Sequence, residues 1–400
     1  MKNYIIVGVD MSDETLALEI AHNERSLGRR SFGNDPESWE AMVRHLKERS
    51  RQGGGAPVVL AYEAGPHGMG LHDFLSERGI VCHMFAPTLL KRSPKSRKHK
   101  TDTKDAEGLL EVLRGHLLAG NKLPGVWIPD ARLRDDREIV RGRLDAGAKA
   151  RQVRTQIQSL LKRYTVRKPH GVGQGWTHKH RAWLRGLSQG ASSPLGIGAR
   201  TRLASHVREL DAAEKEETLL EEAVARLSQE ERYRRTFEAL DAEVGVGLLT
   251  AMVFLTELGD PERFGNRRQV AAYFGLIPGS NETGKRDDCK GHITHQGSAR
   301  VRWVVCQAYH AEARTDPQEK DRYERLVKRN PKRKKVAIVA GMRRKVIRLW
   351  HVALNVKRGA QTAPPPSRPP EGGKRQFALP ASPRKYERRP PVVEERRLAV

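Results

Sequence analysis

Two short apolar runs, each closed by an acid, constrain this chain more than any other feature. Tyr4-Ile5-Ile6-Val7-Gly8-Val9 leads into Asp10, and Val58-Val59-Leu60-Ala61-Tyr62 leads into Glu63. β-Branched runs of this length, bounded by turn residues, read as buried strands. Each acid is therefore delivered at a strand's carboxyl edge. Thr15–Ala21, a short stretch at Ser31-Phe32, and Ile80–Met84 read as further strands. Pro36 to about Arg51 carries helical periodicity through Trp39, Met42, Val43 and Leu46, with Pro36 at a permitted first-turn position.

Asp102 and Asp105 stand three residues apart in Lys100-Thr101-Asp102-Thr103-Lys104-Asp105-Ala106, at the start of an expected helix. That spacing puts both carboxylates on one helical face, one turn apart, where they can share divalent cations. An ordinary helix start uses the same residues, because Thr101 or Asp102 would cap it and early acids suit its dipole. With Asp10 and Glu63, however, the pair makes an ordered set of four carboxylates. Four carboxylates gathered in one place repel one another unless cations neutralise them. It reads as a metal site. Just upstream, Lys91, Arg92, Lys95, Arg97, Lys98 and Lys100 form a basic run placed to hold a polyanion over the acids.

The whole chain shares that bias. Its 74 Lys and Arg against 48 Asp and Glu give a formal net charge of +26, which points to a nucleic-acid partner. No run of about 18 apolar residues and no signal-peptide pattern is present, so a membrane role is not expected and the chain reads as cytoplasmic. Cys82, Cys289 and Cys306 are odd in number and widely spaced, which argues against a disulfide framework. Four hundred residues suit two or three domains of roughly 100–200 residues each.

Leu133–Tyr164 and Thr201–Glu231 read as long helices, the first with a stripe through Ile139, Leu144, Ile157, Leu160 and Leu161. Together they suggest a helical hairpin or coiled coil, with an internal core and an intermolecular seam equally compatible. Val244-Gly245-Val246-Gly247 enters an apolar helix whose first N–H groups could hold a DNA phosphate or simply close a turn. Phe264 through Phe274 continues as helix. The polar loop that follows offers the hydroxyls of Ser280 and Thr283 beside Lys285 and Arg286. Cys289, His292 and His295 lack a fourth ligand for structural zinc, so His292 is expected to bond nucleic acid or the loop backbone. Lys332, Arg333, Lys334 and Lys335 lead into Val336–Val356, where Arg343, Arg344, Lys345 and Arg348 interleave with apolar residues. One face would pack and the other would meet phosphates or solvent. Beyond Arg358 the composition is that of a disordered, Pro-rich basic tail.

With these motifs in order, the chain resembles the bacterial insertion-sequence transposases that carry a DEDD, RuvC-like catalytic domain and are guided by a structured bridge RNA. The resemblance spans Tyr4 to Val356. It rests on Val9-Asp10, Tyr62-Glu63-Ala64-Gly65, the Lys100–Ala106 segment, Phe264 with Ala271–Pro278, and Gly291-His292-Ile293-Thr294. It implies an α/β fold with an RNase H-like (RuvC-like) domain over 1–125, and the helical hairpin or coiled coil read from periodicity would be an insertion over 126–235. A mainly α transposase domain over 236–358 and the tail over 359–400 would complete the chain. It also implies that Asp10, Glu63, Asp102 and Asp105 hold Mg²⁺, two ions per site. The C-terminal domain would bring a hydroxyl nucleophile to the metal site of another protomer, in a homodimer or tetramer.

Relatives of this type place Ser before Gly in the loop after Gly-Leu-x-Pro, whereas this chain has Glu282-Thr283-Gly284. Gapless alignment of that segment puts Thr283 at the nucleophile position, and a short slip substitutes Ser280. Threonine keeps the hydroxyl but adds a methyl that restricts rotamers and crowds in-line attack. The implied function is RNA-guided, Mg²⁺-dependent strand exchange of an insertion sequence through a covalent protein–DNA link, in a cytoplasmic, nucleoid-associated protein. The alternatives are a RuvC-like structure-selective nuclease using water, and a non-catalytic nucleic-acid-binding protein with structural carboxylates.

Overall fold

The first apolar run forms β1 (Ile5–Met11) and the second β4 (Val58–Glu63), in a computed structural model that describes residues 3–65, 68–87, 90, 102–173, 175–190, 193–280 and 290–359. The chain divides into two units, Met1–Pro129 and Asp130–Val400. In the first, β2 (Thr15–His22), β3 (Arg25–Gly33) and β5 (Val81–Phe85) complete a sheet of order β3-β2-β1-β4-β5. β1, β2 and β3 are antiparallel in sequence, while β1, β4 and β5 run parallel.

Strand alternation sorts the apolar residues onto two faces. Ile5, Val7, Val9, Leu60 and Tyr62 pack with Met42, Val43 and Leu46 of α1 (Pro36–Gln52) and with Leu71 and Leu75 of α2 (Gly68–Glu77). Ile6, Val59, Ala61 and Phe85 point the other way, against Leu109, Leu110 and Leu113 of α3 (Asp102–Ala119). Cover on both faces is why β1 and β4 read as unbroken apolar runs. β3 is the exposed edge, and its Arg25, Arg29 and Arg30 discourage further strand pairing.

The second unit begins with α4 (Ala131–Arg163), α5 (His178–Gln189) and α6 (Ile197–Ser228). α4 and α6 run antiparallel within one chain. Ala150, Val153 and Ile157 of α4 share a core with Leu203, Val207 and Leu210 of α6 and Leu184 of α5. Ion pairs line the seam: Arg143 to Glu217 at 2.8 Å and to Glu221 at 2.7 Å, and Arg154 to Glu214 at 2.7 Å. Arg185 reaches Asp211 at 2.7 Å, and Arg181 binds both Asp211 and Glu214.

A second core joins α7 (Glu231–Asp241), α8 (Leu248–Leu258), α9 (Arg267–Tyr273), α10 (Ala299–Thr315) and α12 (Lys334–Lys357) with Val140 and Leu144 of α4 and Val224 and Leu227 of α6, while α11 (Pro317–Arg329) packs on α10 and α12. Every residue of α8 except Leu249 and Thr250 is buried. Arg137 of α4 donates to the carbonyls of Thr256 (2.8 Å) and Glu257 (3.1 Å), which lie in that helix's last turn. α12 crosses α10 so closely that a Cβ on Gly341 would stand 1.9 Å from Tyr309 Cζ. Lys345, expected on the phosphate-facing side, is instead buried. Its ammonium donates to the Val244 carbonyl at 2.8 Å and lies 3.3 Å from Glu312 and 3.5 Å from Glu243. Among the described residues, no helix is long and apolar enough to cross a membrane.

Candidate functional site

The parallel register of β1 on β4 ends with Val9 opposite Tyr62, so Asp10 and Glu63 follow as neighbours at the carboxyl edge of the sheet. Val9 and Tyr62 belong to the α1/α2 face, and a pleated strand turns the next side chain to the opposite face. Asp10 and Glu63 thus share the face on which α3 packs.

Gly8 sets how closely α3 lies. A Cβ at that position would fall 2.1 Å from the Ala106 carbonyl oxygen and 2.6 Å from the Leu110 amide nitrogen. Strand and helix backbones therefore meet directly, the use to which glycine is put where another backbone approaches a strand. Asp105 immediately precedes Ala106 and is partly buried, so this contact holds it toward the edge that carries Asp10 and Glu63. Arg29 bridges the outer side of the helix, pairing with Glu19 at 2.6 Å and with Glu107 at 3.5 Å. Asp102 is the first residue of α3, and its side chain lies outside the described residues. Among the described residues, no three His, Cys, Asp or Glu side chains close into a cluster able to hold a metal ion. In donor type the three described acids are all carboxylates, the chemistry that suits a hard divalent cation.

Ser280 ends β6 (Pro278–Ser280), which pairs antiparallel with β7 (Lys290–Ile293) in the register Ser280 to Lys290. This ribbon stands on a locked base. Gly275 has φ +68° and a Cβ there would be 2.1 Å from the Gln296 carbonyl oxygen; Gly297 has φ +86° and a Cβ there would be 1.9 Å from the Tyr273 carbonyl oxygen. Only glycine combines a left-handed backbone with such contact. Thr283, Lys285 and Arg286 lie outside the described residues, as does the side chain of Ser280.

Comparison with known proteins gives this arrangement a lineage. Residues 7–166 match the transposase family profile of the IS110 DEDD type, and residues 238–324 match the profile described as transposase IS116/IS110/IS902 family. A putative transposase, y4qE, of Sinorhizobium fredii (strain NBRC 101917 / NGR234) is 30% identical over 301 residues, covering 75% of this chain and 70% of the relative. The transposase for insertion sequence element IS1533 of Leptospira borgpetersenii is 24% identical over 272 residues, 68% of this chain and 74% of the relative. The chain belongs to the IS110 family of transposases. DNA transposition is the activity of that family, and the first profile contains all four of the acids while the second contains Ser280 and Thr283.

Apart from Lys285 and Arg286, the basic residues expected to meet nucleic acid fall into three groups. Lys91, Arg92, Lys95, Arg97, Lys98 and Lys100 lie outside the described residues. His292 on β7 is exposed, as are Lys332 and Arg333 in the short turn before α12 and Lys334 and Lys335 at its start. Arg343 and Arg344 line a cleft of about 630 Å³ between α9 and α12, together with Arg267, Arg268, Ile347, Arg348 and His351. Arg267 and Arg268 lie outside any basic run that would single them out in the sequence, although Asn266 before them is a good helix cap that marks where they stand. The Asn266 side chain accepts from the Arg268 amide at 3.0 Å.

Behind the cleft lie two buried acids. Glu312 lies 2.7 Å from Arg348, and burial pushes its carboxyl above the ordinary range despite Lys345 and Arg348. Glu319 is 2.6 Å from Arg344 and also binds Arg322. Burial opposes its ionisation, but hydrogen bonds from both arginines hold its pKa below the ordinary 4.5.

Proposed function

We propose that this transposase exchanges DNA strands in a Mg²⁺-dependent reaction centred on an RNase H-like domain, using a protein hydroxyl as nucleophile and a structured RNA as guide. The observation that carries the reading is the placement of Asp10 and Glu63 side by side on the face where α3 brings Asp105. The sheet, antiparallel over β1 to β3 and parallel over β1, β4 and β5, supports the RNase H-like assignment. The net charge of +26 supports two nucleic-acid partners, with base pairing to the RNA selecting sequence while the protein reads backbone and shape.

Asp10, Glu63, Asp102 and Asp105 would hold the ions. Bound there, Mg²⁺ supplies charge that favours the attacking alkoxide and offsets charge on the leaving oxygen. In the exchange, the hydroxyl of Thr283, or of Ser280, gives up its proton to solvent as its oxygen attacks a DNA phosphorus. The P–O3′ bond breaks, the 3′ oxygen takes up a proton, and the chain becomes esterified to the 5′ phosphate. A 3′ hydroxyl of the other DNA then attacks that phosphorus, gives up its proton, and frees the protein hydroxyl. Phosphodiester bonds are conserved, so no external energy source is needed.

The test uses the full chain with Mg²⁺, RNA transcribed from the non-coding DNA flanking the gene, and donor and target DNA. Denaturation-resistant adducts and recombinant junctions are expected, with both lost in Asp105→Asn. Thr283→Ala should abolish adducts and Ser280→Ala should not; the reverse result moves the nucleophile to Ser280. Cleavage without an adduct would make the enzyme a nuclease that uses water. DNA binding with no reaction under any of these conditions would make it a binding protein.

A further inference from the structure

We infer that the cleft between α9 and α12 seats one phosphodiester strand of DNA, gripped by Arg267 and Arg268 from one wall and by Arg343, Arg344, Arg348 and His351 from the other. The inference rests on the transposase reading for its choice of DNA. The site itself rests on three observations.

First, the lining is cationic on both walls. Among the described residues, Ile347 is the sole lining residue that cannot carry positive charge. On α12 the basic residues recur at 343/344, 348 and 351, which is one helical face. Second, the charge is in excess. Arg344 is backed by Glu319, and Arg348 by Glu312 and, at 3.6 Å, by Glu243, but those acids already answer to Arg322 and Lys345. Among the described residues, Arg267, Arg268 and Arg343 have no carboxylate partner. Guanidinium groups in such surplus repel one another and match the bidentate geometry of phosphate oxygens.

Third, the walls are fixed. Trp350 Nε1 of α12 donates to the Pro261 carbonyl at 2.9 Å, Lys357 reaches Asp260 at 2.6 Å, and the Tyr309 ring fills the space above Gly341. The carboxylates behind Arg344 and Arg348 further hold those two side chains in place. A preorganised guanidinium loses less freedom on meeting a phosphate than one on a mobile surface.

The experiment follows binding of a labelled DNA duplex to the full chain by fluorescence anisotropy across a salt series. The triple variant R267Q/R268Q/R343Q removes the three guanidiniums that answer to no acid among the described residues. Its log affinity should fall less steeply with log salt than the parent's, by about one per contact removed, and at physiological salt its affinity should drop about tenfold or more. Arg343→Gln alone should lower the slope by about one, which keeps the question open to decision if the triple variant does not fold. The corresponding triple lysine variant should recover most of the slope. An unchanged slope in the glutamine variants, with the parent binding DNA normally, overturns the cleft and leaves the transposase reading standing. Loss of binding to an RNA hairpin but not to DNA overturns the choice of DNA. Asp10→Asn should keep the parent's slope while losing adducts, so failure of the chemistry is distinguishable from failure of this site.

Discussion

The α4–α6 hairpin and the α9–α12 cleft are both rich in arginine, yet they use it in opposite ways. Along the hairpin, Arg143, Arg154, Arg181 and Arg185 each face an acid across the seam or from α5. Their charge is consumed inside the fold. In the cleft the acids stand behind the arginines rather than opposite them, and Arg267, Arg268 and Arg343 are left over among the described residues. A net charge of +26 therefore overstates what any one surface can offer to nucleic acid. The informative quantity is how many guanidiniums remain after internal pairing.

The sharpest way to break this contrast is to attack the acid layer behind the cleft. Glu312→Ala leaves Lys345, whose side chain is fully buried, with Glu243 and the Val244 carbonyl as its remaining partners among the described residues. Removing one partner of a buried ion pair costs about 3–5 kcal/mol, and the remaining partners place this variant near the lower end in chemical denaturation.

A smaller effect is expected at Glu319. Its folded pKa lies below 4.5, so the stability it contributes is complete above that ordinary value and is lost as pH falls through the lowered one. Glu319→Gln should cost about 1.5–3 kcal/mol near neutral pH, the range for hydrogen bonds to a charged group. The gap between variant and parent should close in acid. A gap that persists unchanged through the acid range would show that the carboxylate's charge is not what holds Arg344.

The smallest effects separate the two regions directly. Arg154→Gln in the hairpin should cost about 0.2–1 kcal/mol, as expected of a partly exposed pair, and leave DNA binding unchanged. Arg343→Gln in the cleft should shift stability by no more than about 0.5 kcal/mol while altering the salt dependence of DNA binding. Equal stability losses in the two variants would erase the distinction.

The legible parts of the chain are those where local pattern and tertiary role coincide. β1, β4 and the start of α3 follow from apolar runs and early acids, and the acids at their ends could be read off directly. β3 shows in the sequence only at Ser31-Phe32, because its nine residues are exposed or half-exposed and carry no hydrophobic alternation; its pairing to β2 defines it. α11 carries capping signals in Asp316 and Pro317, but its charged sequence supplies too little apolar stripe to announce a helix. The single helix expected over 201–231 is broken after Ser228, where α7 turns to bring Tyr233 and Leu240 into the core. Lys345 was unreadable for a different reason. Its partners Glu243 and Glu312 lie 102 and 33 residues away, and nothing in the local sequence marks the position as buried.

The meeting of Gly8 with Ala106 has a consequence for how such a protein can diverge. The distance from α3 to the sheet edge is set there by main-chain atoms, not by the bulk of any side chain. The leucines and valines on either side can exchange for others of similar volume over many generations, and the acids will keep their spacing. A single added methyl at position 8 would undo what that drift leaves intact.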